Sequence, residues 1–142
     1  MIKSSRRRSR EFALQGLYQW QLAGTEPETI IEQLADAEGY GKTDVVYLRD
    51  LLTGATAGAV EMEALIAPLL DRAYASLSPV ERGILLLAGH ELRTHPEVPY
   101  RVVINEAIEL AKAFGGTDGH KYVNGVLDRM AAQLRAAEIQ AR

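Results

Sequence analysis

Residues 78–92 read SPVERGILLLAGHEL, and they predict a long buried helix near the middle of the chain. Ser78 and Glu81 have the spacing of a capping box, and Pro79 takes the first helical position, where proline is favoured. Residues 84–88 are apolar without a break, so this helix is apolar on nearly every side. We therefore expect it to be the central helix of the fold.

Helical spacing recurs on both sides of this segment, whereas the period-two alternation of β-strands is scarce. Apolar residues three and four apart predict helices over about 5–22, 100–114 and 123–134. Phe114 falls on the inner stripe of the second of these, and Gly115 follows as the expected left-handed end of the helix. The pattern predicts an all-α fold of about seven helices.

The helix boundaries are predicted from capping residues and breakers. Thr25 and Thr43 are the expected N-caps of two further helices. Gly54 and Gly58 weaken the second of them, so one bent helix and two shorter helices both fit the pattern. The C-terminal tail, residues 137–142, is expected to be frayed.

The length and composition are those of a small, cysteine-free protein without a membrane segment. The 142 residues (1–142) have the size of a single domain. The absence of cysteine excludes disulfides, thiolate zinc sites and cysteine nucleophiles, and it fits a cytoplasmic location. No apolar run approaches the roughly 20 residues that span a bilayer, so we expect no membrane segment.

The histidines and carboxylates of the sequence form no known catalytic or metal-binding motif. No two of His90, His95 and His120 are four residues apart, and neither His-Glu-x-x-His nor Glu-x-x-His occurs. Glu106 and Glu109 are expected to be a solvated pair on the outside of a helix. The sequence thus predicts no enzyme activity, no metal and no cofactor.

Basic residues are concentrated at the N-terminus. Residues 1–10 carry a charge of +5 and no acid, so the rest of the chain carries −8 against a total of −3. We call residues 1–10 the basic arm; its basic residues are Lys3, Arg6, Arg7, Arg8 and Arg10. Guanidinium groups one helical turn apart, as in Arg6 and Arg10, are spaced to form hydrogen bonds with phosphate groups. The alternative is a solvated basic tail.

Aromatic residues accompany the basic arm. Tyr18 lies one to two helical turns beyond it, and Tyr122 with Lys121 is predicted to face away from the core. An aromatic ring beside a lysine suits an unstacked base of single-stranded RNA. The alternative for each tyrosine is an ordinary half-buried position.

Several segments together resemble the NusB family of transcription antitermination factors. They are RRRSRE (6–11), LYQW (17–20), YLRDLLTG (47–54), VPYRVVINEAIELAK (98–112) and HKYVNGVLD (120–128). The resemblance covers nearly the whole chain. It implies seven helices in two packed helical halves.

The resemblance also implies a function and a set of partners. NusB proteins pair with NusE, a ribosomal protein, to bind the single-stranded boxA RNA of ribosomal RNA leaders, and they act with NusA and NusG on RNA polymerase. Members occur as monomers and as dimers, so the resemblance does not decide whether this chain forms a homodimer. The implied NusE-binding residues are Val80, Glu81 and Ile84. The implied RNA-binding residues are Lys3, Arg6, Arg7, Arg8, Arg10, Tyr18, Asp118, Lys121, Tyr122 and Asn124.

Three other functions are compatible with a basic helical protein. NusB-like domains begin certain ribosomal RNA cytosine methyltransferases, but those enzymes need a Rossmann domain and a cysteine that this sequence lacks. A helix-turn-helix DNA reader would carry its polar residues inside the motif rather than at the terminus. A purely structural interaction module would show no salt-dependent RNA binding.

Asp118→Asn is expected to strengthen RNA binding, because an acid on the implied RNA surface repels phosphate. Titration of a fluorescent boxA RNA with the wild type and the variant measures the change. Weaker binding by the variant would contradict the assignment of Asp118 to this surface.

Overall fold

A computed structural model describes residues 3–116 and 119–141. Over those residues the chain forms eight α-helices and three short 3-10 turns, with no β-strand, which confirms the all-α prediction. The turns span Tyr40–Lys42, Ala67–Leu69 and Tyr74–Ser76. The helices are α1 (Ser5–Ala23), α2 (Pro27–Leu34), α3 (Val45–Ala57), α4 (Ala59–Ile66), α5 (Pro79–Thr94), α6 (Tyr100–Phe114), α7 (Gly119–Leu134) and α8 (Ala136–Gln140).

Helix α5 is the central helix, as its sequence predicts. Every residue from Gly83 to Leu92 is buried, and α5 packs against α1, α3, α4, α6 and α7. Helices α1–α3 pack on one another as one half, and α4, α6 and α7 surround α5 as the other. One hydrophobic core runs through both halves. None of the described helices is both long and apolar enough to cross a bilayer.

The start of α5 has the predicted capping box. The Ser78 hydroxyl accepts from the Glu81 N–H at 3.1 Å, and the Glu81 carboxylate accepts from the Ser78 N–H at 2.9 Å. Pro79 occupies the first turn. The local sequence alone therefore specifies where the central helix begins.

Two other predicted caps are wrong by one residue. Glu26, not Thr25, precedes α2, because Pro27 forces an extended conformation on the residue before it. Asp44, not Thr43, caps α3: its carboxylate accepts from the Tyr47 N–H at 3.1 Å. The α3–α4 segment is two helices rather than one bent helix.

The tail that the sequence predicts to be frayed, residues 137–142, contains part of a short helix where the structure describes it. Helix α8 is ordered through Gln140, because Ile139 packs on the core and the Glu138 carboxylate accepts from the Tyr100 N–H at 3.1 Å. Glu138 thereby caps α6, whose own N-cap Pro99 offers no side-chain acceptor. Helix α6 ends at Gly115 as predicted, but with extended rather than left-handed backbone.

Candidate nucleic-acid interface

The basic arm is helical from Ser5 onward. Ser4 caps α1, its hydroxyl accepting from the Arg7 N–H at 3.0 Å. Successive side chains on a helix are rotated by about 100°, so the arginines of the arm cannot all share one surface. Their surroundings divide them into three environments.

Arg10 points into the protein. Only 5% of the residue is exposed, and its guanidinium makes two hydrogen bonds, at 2.7 and 2.8 Å, to the Glu91 carboxylate of α5. The Tyr47 hydroxyl of α3 donates to the same carboxylate at 2.5 Å. Arg10 therefore joins helices, and α5 and α6 cover most of it, which leaves little of its guanidinium for the predicted contact with RNA.

Arg10, Tyr47 and Glu91 form a polar cluster in which the charges of Arg10 and Glu91 stabilise each other. Burial alone would lower the pKa of Arg10, but the hydrogen bond to Glu91 and the charge of Glu91 raise it above its ordinary value. Burial, reinforced by Glu91, raises the pKa of the Tyr47 hydroxyl, so Tyr47 stays a hydrogen-bond donor. Glu91 is thus satisfied on both oxygens in the protein interior.

Arg7 lies at the edge of the same cluster. It donates to both oxygens of Glu106 on α6, at 3.0 and 2.5 Å, and Glu106 also accepts from Arg10 at 3.3 Å. The hydrogen bond to Glu106 raises the pKa of Arg7. The expectation that Glu106 is solvated beside Glu109 is wrong, since only 13% of its side chain is exposed, although Glu109 is exposed.

Arg6 and Lys3 remain at the surface. The Arg6 guanidinium lies 4.2 Å from the ring centre of Tyr47, and Lys3 forms a 2.8 Å ion pair with Glu11. With Arg7 they line an open groove of about 670 Å³ whose other wall is formed by the start of α6 and the residues before it. Lys3, Arg6 and Arg7 therefore border one groove, and the largely buried Arg10 lies at its base.

Arg8 lies on a different side of α1, in a second groove of about 640 Å³. Within residues 3–116 and 119–141, no carboxylate lies at ion-pair distance from Arg8. Tyr18, two to three turns further along α1, lines the same groove and is 45% exposed. We call this the Arg8–Tyr18 groove; its other lining residues include Phe12, Val80 and Phe114.

Phe114 is more exposed than the apolar period of α6 predicts. Its spacing from Leu110 and Ala111 puts it on the inner stripe of α6, yet it is 50% exposed. Phe114 is the last residue of α6, and its ring projects past the end of the core into the Arg8–Tyr18 groove. The sequence does indicate this exposure in one way: Phe114 comes directly before Gly115-Gly116, where the helix is predicted to end.

The predicted NusE-binding residues at the start of α5 differ in accessibility. Val80 is half-buried in the Arg8–Tyr18 groove, and Glu81 is half-buried at the capping box. Ile84 is completely buried, so its predicted partner contact is wrong, because α5 is covered on every side at that level.

The predicted residues of α7 do not form one surface. Lys121 is exposed. The Tyr122 ring is half-buried with the Arg72 guanidinium 3.9 Å from its centre, and burial raises the pKa of its hydroxyl. Asn124 lines a separate groove between α6 and α7. Asp118 lies outside the described residues.

Comparison with known proteins now identifies the family. A sequence profile of the NusB family matches residues 7–132. The chain belongs to the NusB family. The transcription antitermination protein NusB of Nitrosospira multiformis is 61% identical over 133 residues, which cover 94% of this chain and 84% of that protein. The corresponding protein of Paraburkholderia phytofirmans is 56% identical over 140 residues, covering 99% and 97% of the two chains.

Solved NusB structures have the same fold. T. maritima NusB matches with a TM-score of 0.83 at 34% identity, over 93% of this chain and 94% of that one. A chain in a crystal structure of antitermination factors NusB and NusE in complex with dsRNA matches with a TM-score of 0.75 at 26% identity, over 87% and 93%. NusB proteins are antitermination factors rather than enzymes, which confirms the expectation of a non-catalytic protein.

Glu91→Ala is expected to lower the free energy of unfolding by about 3–5 kcal/mol, because it leaves the buried Arg10 without its main partner. Urea denaturation followed by circular dichroism measures the loss. Glu28→Ala is the matched control: Glu28 pairs with Arg49 in an exposed position, where removing the partner changes stability little. Equal losses for the two variants would contradict the structural role of Glu91.

Proposed function

We propose that this NusB-family protein is an antitermination adaptor that binds single-stranded boxA RNA together with NusE. The observation that carries the proposal is the Arg8–Tyr18 groove. It combines a guanidinium that pairs with no carboxylate of the described chain, an exposed aromatic ring and an apolar wall. The related structure of NusB and NusE in complex with dsRNA supports NusE and RNA as the classes of partner.

The chemistry of the groove suits an unpaired strand. Arg8 would bind backbone phosphate through several donors, and the Tyr18 ring would stack on a base, which is a sequence-tolerant interaction. Lys3, Arg6 and Arg7 would continue the phosphate path along the neighbouring groove. Arg7 uses two of its five N–H donors on Glu106, so the others are free to bind phosphate.

The contribution of α7 is smaller in this proposal. Lys121 would reach the RNA from the exposed face of α7, with Tyr122 beside it. One face of the Tyr122 ring is already occupied by Arg72, so Tyr122 stacks on RNA only through its other face or edge. Asn124 lies in a different groove and is left outside the proposed contact.

NusE would bind on Val80 and Phe114, which line the Arg8–Tyr18 groove, and on Glu81 next to Val80. Val80 and Phe114 supply the apolar area that a protein interface needs, and Glu81 supplies a charge at its edge. Because RNA and NusE would share one groove, each would sit next to the other. Two linked contacts of this kind bind far more tightly than either alone.

A larger assembly is part of this proposal. We propose that the complex of this chain with NusE and boxA RNA joins NusA and NusG on RNA polymerase in the cytoplasm. A homodimer that covered the Arg8–Tyr18 groove would compete with both RNA and NusE. Sedimentation of the free protein, with and without NusE, distinguishes the two states.

Arg8→Ala is expected to weaken boxA binding and to make it less salt-dependent. Loss of one phosphate contact lowers the slope of log affinity against log salt by about 0.7 for single-stranded RNA. The measurement is a fluorescence titration of boxA and scrambled RNA, with and without NusE, at several salt concentrations. Wild-type protein should prefer boxA, and NusE should increase that preference.

Arg49→Ala is the matched control for Arg8→Ala, since Arg49 is an exposed arginine that lines neither of the two grooves around the basic arm. Its affinity and salt slope should equal those of the wild type. Equal binding of boxA and scrambled RNA would reduce the basic arm to a non-specific phosphate clamp. Unchanged affinity in Arg8→Ala would exclude the Arg8–Tyr18 groove from RNA binding.

Phe114→Ala is expected to weaken NusE binding at least tenfold, because its ring is the more exposed of the two phenylalanines that line the groove. Isothermal titration calorimetry of the variant with NusE measures the effect without RNA. Val60→Ala, at an exposed apolar position on α4, is the control and should bind as the wild type does. A Phe114→Ala protein with wild-type affinity would place NusE elsewhere.

A further inference from the structure

Three side chains outside the proposed RNA surface converge on one point. Asp50 lies on α3, His90 on α5, and His95 directly after the end of α5. The Asp50 Oδ2 atom lies 3.0 Å from His90 Nε2 and 2.5 Å from His95 Nε2. One potential ligand atom from each residue lies within 4.8 Å of the other two.

We propose that Asp50, His90 and His95 bind a divalent late first-row transition metal ion, of which Zn²⁺ is the expected one. Two imidazole nitrogens and one carboxylate oxygen are a donor set that such ions prefer over Mg²⁺ or Ca²⁺. Three protein ligands leave the fourth position of a tetrahedral ion to water. The site requires no cysteine, so the cysteine-free composition does not exclude it.

The geometry needs little change to admit the ion. Bonds of about 2.0–2.2 Å to nitrogen and oxygen put neighbouring ligands of a tetrahedral ion about 3.3 Å apart. The Asp50 oxygen would move away from each nitrogen by less than about 1 Å, and the two histidine nitrogens, which lie within 4.8 Å of each other, would adjust to the same spacing. The Asp50 side chain is 45% exposed, whereas those of His90 and His95 are 7% and 16% exposed, so the ion would enter past Asp50.

A second carboxylate orients one of the ligands. Glu97 Oε2 lies 3.0 Å from His95 Nδ1, on the side of the ring opposite Asp50. A carboxylate that holds the Nδ1 proton leaves the Nε2 lone pair directed at the metal, as is usual for histidine ligands. Asp50, His95 and Glu97 thus have the arrangement of a metal ligand set with an outer partner.

The backbone also leaves room for the His90 ring. A Cβ atom at Gly54 of α3 would lie 2.0 Å from His90 Cε1, which no neighbouring adjustment short of moving the ring could accommodate. Gly54 therefore lets the imidazole approach the backbone of α3 closely and reach Asp50, one turn earlier on the same helix. Sequence spacing does not reveal this site, because its two histidines are not four residues apart on one helix. His90 and His95 are five apart, and His95 lies beyond the helix end.

The test is metal binding by protein prepared without a histidine tag and stripped of metal. Zn²⁺ is titrated by calorimetry, and Co²⁺ is titrated by visible absorption, which is intense only for tetrahedral sites. We expect one ion per chain for each metal and no saturable uptake of Mg²⁺. Zn²⁺ should also raise Tm in a concentration-dependent way, because it binds only the folded state.

Variants locate the ion. His95→Gln and Asp50→Asn should each weaken Co²⁺ binding at least tenfold and abolish the Zn²⁺-dependent rise in Tm. His120→Gln, in α7, is the matched control and should bind as the wild type does. Gly54→Ala keeps all three ligands but displaces the His90 ring, so it should also lose the tetrahedral spectrum.

Two outcomes would overturn the proposal. One is the absence of saturable Zn²⁺ uptake by the wild type. The three side chains would then serve only to hydrogen-bond α3 to α5. The other is equal binding by the wild type and Asp50→Asn or His95→Gln, which would place the ion elsewhere. Asp50 is half-exposed, so its variant tests the site even if His95→Gln fails to fold.

Discussion

The buried ion pair between Arg10 and Glu91 fixes how the two halves of the protein meet. Arg10 comes from the first helix, Glu91 from the central helix, and Tyr47 adds a hydroxyl from α3. An unpaired charge at this depth would cost several kcal/mol, so α1 can dock on α5 only where the guanidinium and the carboxylate meet. Glu106 extends the same constraint to α6 through its bonds to Arg7 and Arg10. Polar contacts within an apolar core thereby fix the relative positions of four helices.

This constraint also determines which part of the basic arm is available to a ligand. Arg6, Arg7 and Arg10 are three and four residues apart, so they share the side of α1 that faces Tyr47, Glu91 and Glu106. Arg8 lies off that stripe, and it is left beside Tyr18 in the other groove. A run of similar residues in the sequence therefore serves two purposes in the fold, one internal and one at the surface.

The sequence predicts those features that depend on neighbouring residues and fails where distant residues decide. The Ser78–Glu81 capping box and the apolar run of α5 are local, and both were predicted correctly. The burial of Arg10 depends on an acid 81 residues away, which no spacing rule reveals. Phe114 follows the apolar period of α6, but the helix ends there, and periodicity does not tell how far the core extends. Helix α8 is too short to be stable by propensity alone, and it forms because Ile139 and Glu138 find tertiary partners.

The charge distribution gives a reason for a two-component RNA-binding unit. The body of the chain carries −8, and its acids neutralise much of the arm: Glu11 pairs with Lys3, Glu106 with Arg7 and Glu91 with Arg10. An RNA ligand would meet less net positive charge than the count of arginines implies, because the charge of Arg7 is already paired with Glu106. Affinity that comes mainly from counterion release is then modest for this chain alone. A second protein bound at Val80 and Phe114 would add contacts next to Arg8 without adding charge to the arm. On this reasoning the acids that hold the fold together also make RNA binding depend on the partner.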